Sequence, residues 1–158
     1  MSEASLPTAD WAENVSTLFG LGRIGIAPGT VGSLVALPVA WVVMRLGGPI
    51  ALIALCAATS ILAIWASDQF AKARETHDPS ECIIDEVAGQ FLACALSPLS
   101  IAGFAVAFVL FRLFDISKLW PISAVERIEG GAGIVGDDLI AGLIAGVVTA
   151  VFATAGFL

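Results

Sequence analysis

The sequence predicts an all-α protein, a polytopic helical membrane bundle of four to five helices. Three observations carry that reading. Hydrophobic residues make up 58% of the 158-residue chain and charged residues only 13%, with a mean hydropathy of +0.96, whereas ordinary soluble domains carry about 25% charged residues. Apolar runs of helical length recur, divided by glycine, proline and polar stretches. The acids that interrupt those runs sit near their ends rather than at random.

The length fits one domain, read as a polar N-terminal segment at 1–18 and a single helical membrane domain at 19–158. The N-terminal segment is expected to lie on the surface or fray. Glu3, Asp10 and Glu13 fall within the first 20 residues and no lysine or arginine does, so no signal peptide is expected. Residues 19–33, FGLGRIGIAPGTVGS, are glycine-rich and lead to a helix start, with Thr30 as its expected cap. The first apolar run goes from Val31 to Leu46, and Gly47-Gly48-Pro49 is a turn. The second runs from Ile50 to Ala66 with an amphipathic end at 67–73. A polar loop, Arg74 to Glu81, holds the only histidine, His77. The third run, Ile83 to Leu96, is interrupted near its start by Asp85-Glu86, and it reads as a short, tilted or partly re-entrant helix held inside the bundle. Ser97-Pro98-Leu99-Ser100 is a tight turn. The fourth run, Ile101 to Phe114, ends in Arg112, Asp115 and Lys118, which share one helical face. A polar segment from Ser117 to Gly133 precedes the last run, Ile134 to Leu158, which Asp137-Asp138 opens. Several runs are shorter than the roughly 20 residues that cross a bilayer cleanly.

Loop charges fix an expected topology. With five spans, Arg23, Lys72, Arg74, Lys118 and Arg127 fall on one side and Arg45 alone on the other. The cation-rich side is then cytoplasmic, with the N-terminus inside and the C-terminus outside. Asp68, Asp85, Glu86, Asp115, Asp137 and Asp138 all fall on that same face. Trp41, Trp65 and Trp120 are expected at membrane interfaces and Trp11 on the surface. The net charge of −7 argues against a nucleic-acid partner. Cys56, Cys82 and Cys94 match neither a disulfide framework nor a zinc site and read as structural.

Ionisable groups in apolar spans are costly and face the bundle interior or a wet cavity. Gathered carboxylates repel, and a hard divalent cation removes that conflict. Asp85, Glu86, Asp115, Asp137 and Asp138 are therefore the candidate metal ligands, one of them a general base, and their oxygen donors favour Mg2+, singly or as a pair. Arg112 and Lys118 flank Asp115 and suit phosphate oxygens. Thr30, at the glycine-rich helix start, is a third candidate phosphate contact, with His77 and Asp68 behind it. The plainer readings are helix capping for Asp85, Thr30 and Asp137, ordinary ion pairs for Arg112 and Lys118, and a solvated loop position for His77. Asp115 resists capping, because an acid at a helix C-terminus opposes the helix dipole. A cysteine phosphatase needs Cys followed six positions later by Arg, but Cys82 leads to Ala88 and Cys94 to Ser100. No DxDx[TV] stretch occurs and one histidine is too few for histidine-based chemistry. What remains is metal-assisted attack by water.

From about residue 18 to 150 the chain resembles the phosphatidylglycerophosphatase A family of bacterial membrane lipid phosphatases. The resemblance rests on Ala27-Pro28-Gly29-Thr30-Val31-Gly32-Ser33, on His77-Asp78 with Ile84-Asp85-Glu86-Val87-Ala88-Gly89, on Phe111-Arg112-Leu113-Phe114-Asp115-Ile116-Ser117-Lys118 with Pro121-Ile122, and on Gly130-Gly131-Ala132-Gly133-Ile134 with Asp137-Asp138-Leu139-Ile140-Ala141-Gly142. It departs from the family's pattern at Leu119, Glu126 and the stretch Ala88-Gly89-Gln90-Phe91. The resemblance implies Mg2+-dependent removal of the terminal phosphate of phosphatidylglycerophosphate to give phosphatidylglycerol, at the cytoplasmic side of the bacterial inner membrane. A phosphatidyltransferase and a small cation transporter are the rival functions.

Overall fold

A computed structural model describes residues 7–76 and 79–158. The described chain is all-α: α1 (Pro7–Ser16), a 3-10 turn at Leu21–Arg23, α2 (Pro28–Arg74), α3 (Ile84–Ala95), α4 (Ile101–Ser117), a single turn α5 (Ile122–Val125) and α6 (Gly131–Thr154).

Within the segment expected to lie on the surface or fray, residues Pro7–Ser16 form α1. Ala12, Ser16 and Thr17 are buried, while Trp11 on the opposite face stays exposed as expected. The Ile83 amide donates to the Ser16 carbonyl at 2.9 Å, tying α1 to the entry of α3.

The two apolar runs around Gly47-Gly48-Pro49 merge into α2, which breaks at Gly48, where φ is 70° and ψ −169°. Glycine tolerates that conformation and Pro49 cannot donate to the helical ladder, so the expected turn survives as a sharp bend. The bend reverses the chain. Ser67 Oγ lies 3.1 Å from Cys82 Sγ, and a Cβ on Gly32 would lie 2.8 Å from the carbonyl of the adjacent Ile83. A straight helix would hold residues 32 and 67 about 50 Å apart. The two arms, 28–47 and 49–74, are therefore antiparallel.

Between the arms, α4 and α6 sits α3. Every α3 residue except Glu86 and Leu92 is buried, so its apolar residues pack on neighbours on all sides and its polar residues Asp85 and Gln90 are enclosed with them. At about 18 Å it is too short to cross a 30 Å hydrocarbon core, in keeping with a short helix held inside the bundle. Its close fit to α6 uses Gly89 and Gly142: a Cβ at Gly142 would collide with the Gly89 backbone. Small residues at helix contacts let backbones approach this way. Ser100 caps α4, its hydroxyl accepting from the Gly103 amide at 2.9 Å.

By length and composition two helices, α2 and α6, are apolar enough to cross a membrane. The outward faces of α2, α4 and α6 carry exposed Leu46, Ile50, Ile61, Ile101, Val109 and Val151. The last helix starts before the apolar run expected from Ile134: α6 begins at Gly131, where the chain packs on the backbone of Ile64. Asp137 and Asp138 thus lie about 9 Å into the helix rather than opening it.

Candidate metal and phosphate centre

One end of the bundle gathers the start of α2, the end of its second arm, the start of α3, the end of α4 and the first turns of α6. Asp115, Asp137 and Asp138 meet there. Each offers a carboxylate oxygen, and the three oxygens lie within 4.8 Å of one another. The residues are 7%, 3% and 3% exposed. Three buried acids so close repel, and a hard cation with oxygen ligands is what such a donor set fits. A cavity of about 80 Å³ opens on them, lined also by Asp85, Glu86, Lys118, Cys82, Ile134, Pro79 and Ser80. All five predicted carboxylates therefore share one cavity, though Asp85 and Glu86 stand outside the close trio.

Two cations hold the acids in place. Lys118 adopts a left-handed conformation, φ 46°, in the turn that ends α4. Its Nζ hydrogen-bonds to Asp137 Oδ2 and lies 3.7 Å from both Asp115 Oδ1 and Glu126 Oε1. Burial alone would lower the Lys118 pKa, but the hydrogen bond to Asp137 and the charges of Asp137, Asp115 and Asp138 outweigh it and raise it above the ordinary lysine value. Arg112 Nη1 lies 3.1 Å from Asp115 Oδ2 and 3.5 Å from Glu86 Oε1.

Glu86 is wedged as well as paired. A Cβ on Gly29 would overlap its carboxylate, and one on Gly32 would lie 3.1 Å from Oε2. The glycines at the start of α2 are thus spaces for Glu86. Asp85 is 6% exposed, and its Oδ1 accepts the Glu86 amide at 3.0 Å.

The capping readings fail at two positions. The N-cap of α2 is Ala27, with no side-chain cap bond, so Thr30 is a half-buried first-turn residue and not among those lining the cavity. Asp137 is too far inside α6 to cap it. His77 lies outside the described residues. Asp68 faces a neighbouring cleft of about 490 Å³ with Lys72, Glu75 and Glu129, where Lys72 Nζ holds its Oδ2 at 2.6 Å. That cleft is larger than the carboxylate cavity but gathers no close trio of acids. The residue the sequence reading passed over is Ser33. Fully buried, its hydroxyl donates to the Gly29 carbonyl at 2.9 Å and accepts from Arg112 Nη1 at 3.4 Å. Its place one helical turn after Gly29 was the available signal.

Known proteins are similar to this chain over most of its length. Phosphatidylglycerophosphatase A of Escherichia coli K12 is 34% identical over 133 residues, 80% of this chain and 74% of that one. The Haemophilus influenzae protein of the same name is 36% identical over 132 residues, 82% of this chain and 81% of its own. A Bacteroides thetaiotaomicron protein, provisionally named a phosphatidylinositol-3-phosphatase, is 32% identical over 145 residues, 87% of this chain and 90% of its own. No solved structure matches. The family model described as phosphatidylglycerophosphatase A matches residues 14–153, and the chain belongs to that family.

Proposed function

We propose that this protein is a Mg2+-dependent integral-membrane phosphatase that cleaves phosphatidylglycerophosphate to phosphatidylglycerol and phosphate. The observation that carries the reading is the buried trio Asp115, Asp137 and Asp138 within 4.8 Å, flanked by Arg112 and Lys118, in a chain of this family.

Asp115, Asp137 and Asp138 would hold the cation. Bound there, Mg2+ supplies charge neutralisation at the phosphoryl group and the leaving oxygen. Lys118, which lines the cavity, and Arg112, paired with Asp115 beside it, would bind and orient phosphate oxygens. Of the two cavity-lining acids outside the trio, Glu86 is paired with Arg112, and Asp85 would accept the proton of the attacking water. The new bond joins water oxygen to phosphorus, the bond to the glycerol oxygen breaks, and that oxygen takes up a proton. Glu86 positions Arg112.

The membrane reading is supported by the apolar outer faces of α2, α4 and α6 and by the two apolar helices. The arms of α2, α4 and α6 would cross or nearly cross the bilayer of a bacterial inner membrane, with α3 inside. The carboxylate end would face the cytoplasm, since Arg23, Lys72, Arg74, Lys118 and Arg127 gather near it and Arg45 lies near the far bend. A cation transporter needs charged groups through the membrane depth, yet among the described residues every buried acid belongs to this one cavity. A phosphatidyltransferase has no observation in its favour.

The test uses the purified full-length protein in detergent micelles, given phosphatidylglycerophosphate or phosphatidylinositol 3-phosphate, with Mg2+ or after chelation. Phosphate release from the first lipid alone, abolished by chelation and restored by Mg2+, is expected. Release that survives chelation, or that favours the inositol lipid, overturns the assignment.

A further inference from the structure

Lys118 and a divalent cation compete for Asp137. Both oxygens of that carboxylate are engaged: Oδ1 accepts the Asp138 amide at 2.9 Å, and Oδ2 accepts from Lys118 Nζ. An ammonium and a dication on one carboxylate repel each other. An ammonium also carries three N–H donors, and that of Lys118 meets three carboxylates. Asp137 holds it directly, while Asp115 Oδ1 and Glu126 Oε1 each lie 3.7 Å away. Asp115 and Asp137 belong to the trio and Glu126 does not. The Asp137 side chain is 4% exposed and that of Glu126 44%, so Glu126 stands on the outer side of the ammonium.

The chain joining α4 to α6 fixes Glu126 there. Glu126 ends the single turn α5, whose first residue, Ile122, is buried in the cluster of Phe111, Ala107 and Ala145. Helix α6 presses on the same connection. A Cβ at Gly133 would collide with the Ile128 carbonyl, and one at Gly136 would lie 2.7 Å from Val125 Cγ1. The backbone on both sides of Glu126 is thus anchored, while the long lysine stem turns at its end. A movement of about 1 Å brings Nζ within hydrogen-bond reach of Glu126 Oε1.

We infer that Lys118 changes partners when a divalent cation binds the trio: its ammonium leaves Asp137 for Glu126, which makes Glu126 a positioning residue of the centre. The inference rests on the metal reading above and adds how the site makes room for the ion. Asp137 is released to the cation without stranding the ammonium, because a fixed, half-exposed carboxylate receives it. Lys118 also stays beside the cavity, available to phosphate oxygens.

The test titrates the purified full-length protein in detergent micelles with Mg2+ alone, by calorimetry and without lipid. Glu126→Gln is expected to weaken Mg2+ binding about tenfold, because the ammonium keeps Asp137. In a Lys118→Met background the same substitution is expected to change Mg2+ binding by less than about twofold, since an exposed charge acting only through space is screened. A second readout is the 15N signal of the lysine side chains, of which the chain has two, Lys72 and Lys118. Saturating Mg2+ is expected to move the Lys118 signal in wild type. Unchanged Mg2+ binding in Glu126→Gln, equal weakening in both backgrounds, or a Lys118 signal that Mg2+ does not move overturns the exchange. Absence of Mg2+ binding by wild type is a different result: it overturns the metal reading, and the exchange with it.

Discussion

Lys118, in the turn that ends α4, hydrogen-bonds through Nζ to Asp137 Oδ2 inside α6. The ammonium thereby occupies part of the charge demand that a metal would meet. Lys118→Met is expected to tighten Mg2+ binding roughly tenfold, because the carboxylates lose a competing cation. The same change should lower kcat about a hundredfold through loss of a phosphate contact. Calorimetric titration with Mg2+, alongside phosphate release, checks both halves. Weaker Mg2+ binding in the variant would contradict this role for Lys118.

The pH dependence of the same residue has a defined sign. Its folded pKa is raised, with burial opposing and Asp137, Asp115 and Asp138 prevailing. Its contribution to stability is therefore fully present below the unfolded lysine value of about 10.4 and is lost only as pH rises through the higher folded value. Between pH 6 and 10 Lys118 stays charged. Lys118→Arg, if folded, should leave any alkaline limb of activity in that range where wild type has it. A limb that moves by a full pH unit would show that Lys118 titrates there.

Gly29 and Gly32 make room for Glu86. Gly29→Ala forces that carboxylate off Arg112, which then loses one of its anchors. A stability loss of about 1–3 kcal/mol is expected from the overpacking, together with a rise in KM of roughly tenfold. Thermal unfolding in detergent and steady-state kinetics measure the two. A normal KM would mean that Glu86 does not position Arg112.

Ser33 holds Arg112 from the other side. Ser33→Ala removes a hydrogen bond to a charged group, with an expected loss in kcat/KM of about tenfold, or roughly 1.4 kcal/mol. In an Arg112→Gln background the serine substitution should add almost nothing. Additive losses would separate Ser33 from Arg112.

The site was more legible in the sequence than its setting. Asp85, Glu86, Asp115, Asp137 and Asp138 stood out because a charge inside an apolar run is costly and must be used, and the structure brings all five to one cavity. The division between the trio and the remaining pair was not legible, because it depends on how α4 and α6 rotate against each other. The Gly130–Gly133 stretch fell within the polar segment placed before the last apolar run. Gly131 there lets the start of α6 press on the Ile64 backbone, a long-range contact no local pattern reveals. Thr30 looked like a cap by type, but Pro28 sets the helix start and puts Ala27 at the cap. Gly48 and Pro49 announced the bend of α2 by their own chemistry. The packing of Ala12 and Ser16 in α1 depends on contacts with α2 and α3 that the segment's polar composition concealed.

Phosphate release by Asp115→Asn tests the central claim most directly. The substitution keeps the side chain's size and removes one charge from the trio. With phosphatidylglycerophosphate and saturating Mg2+, a fall in kcat of about a thousandfold in a protein that unfolds at the wild-type temperature is expected. Release within a few-fold of wild type would contradict a metal-dependent phosphatase centre built on Asp115, Asp137 and Asp138.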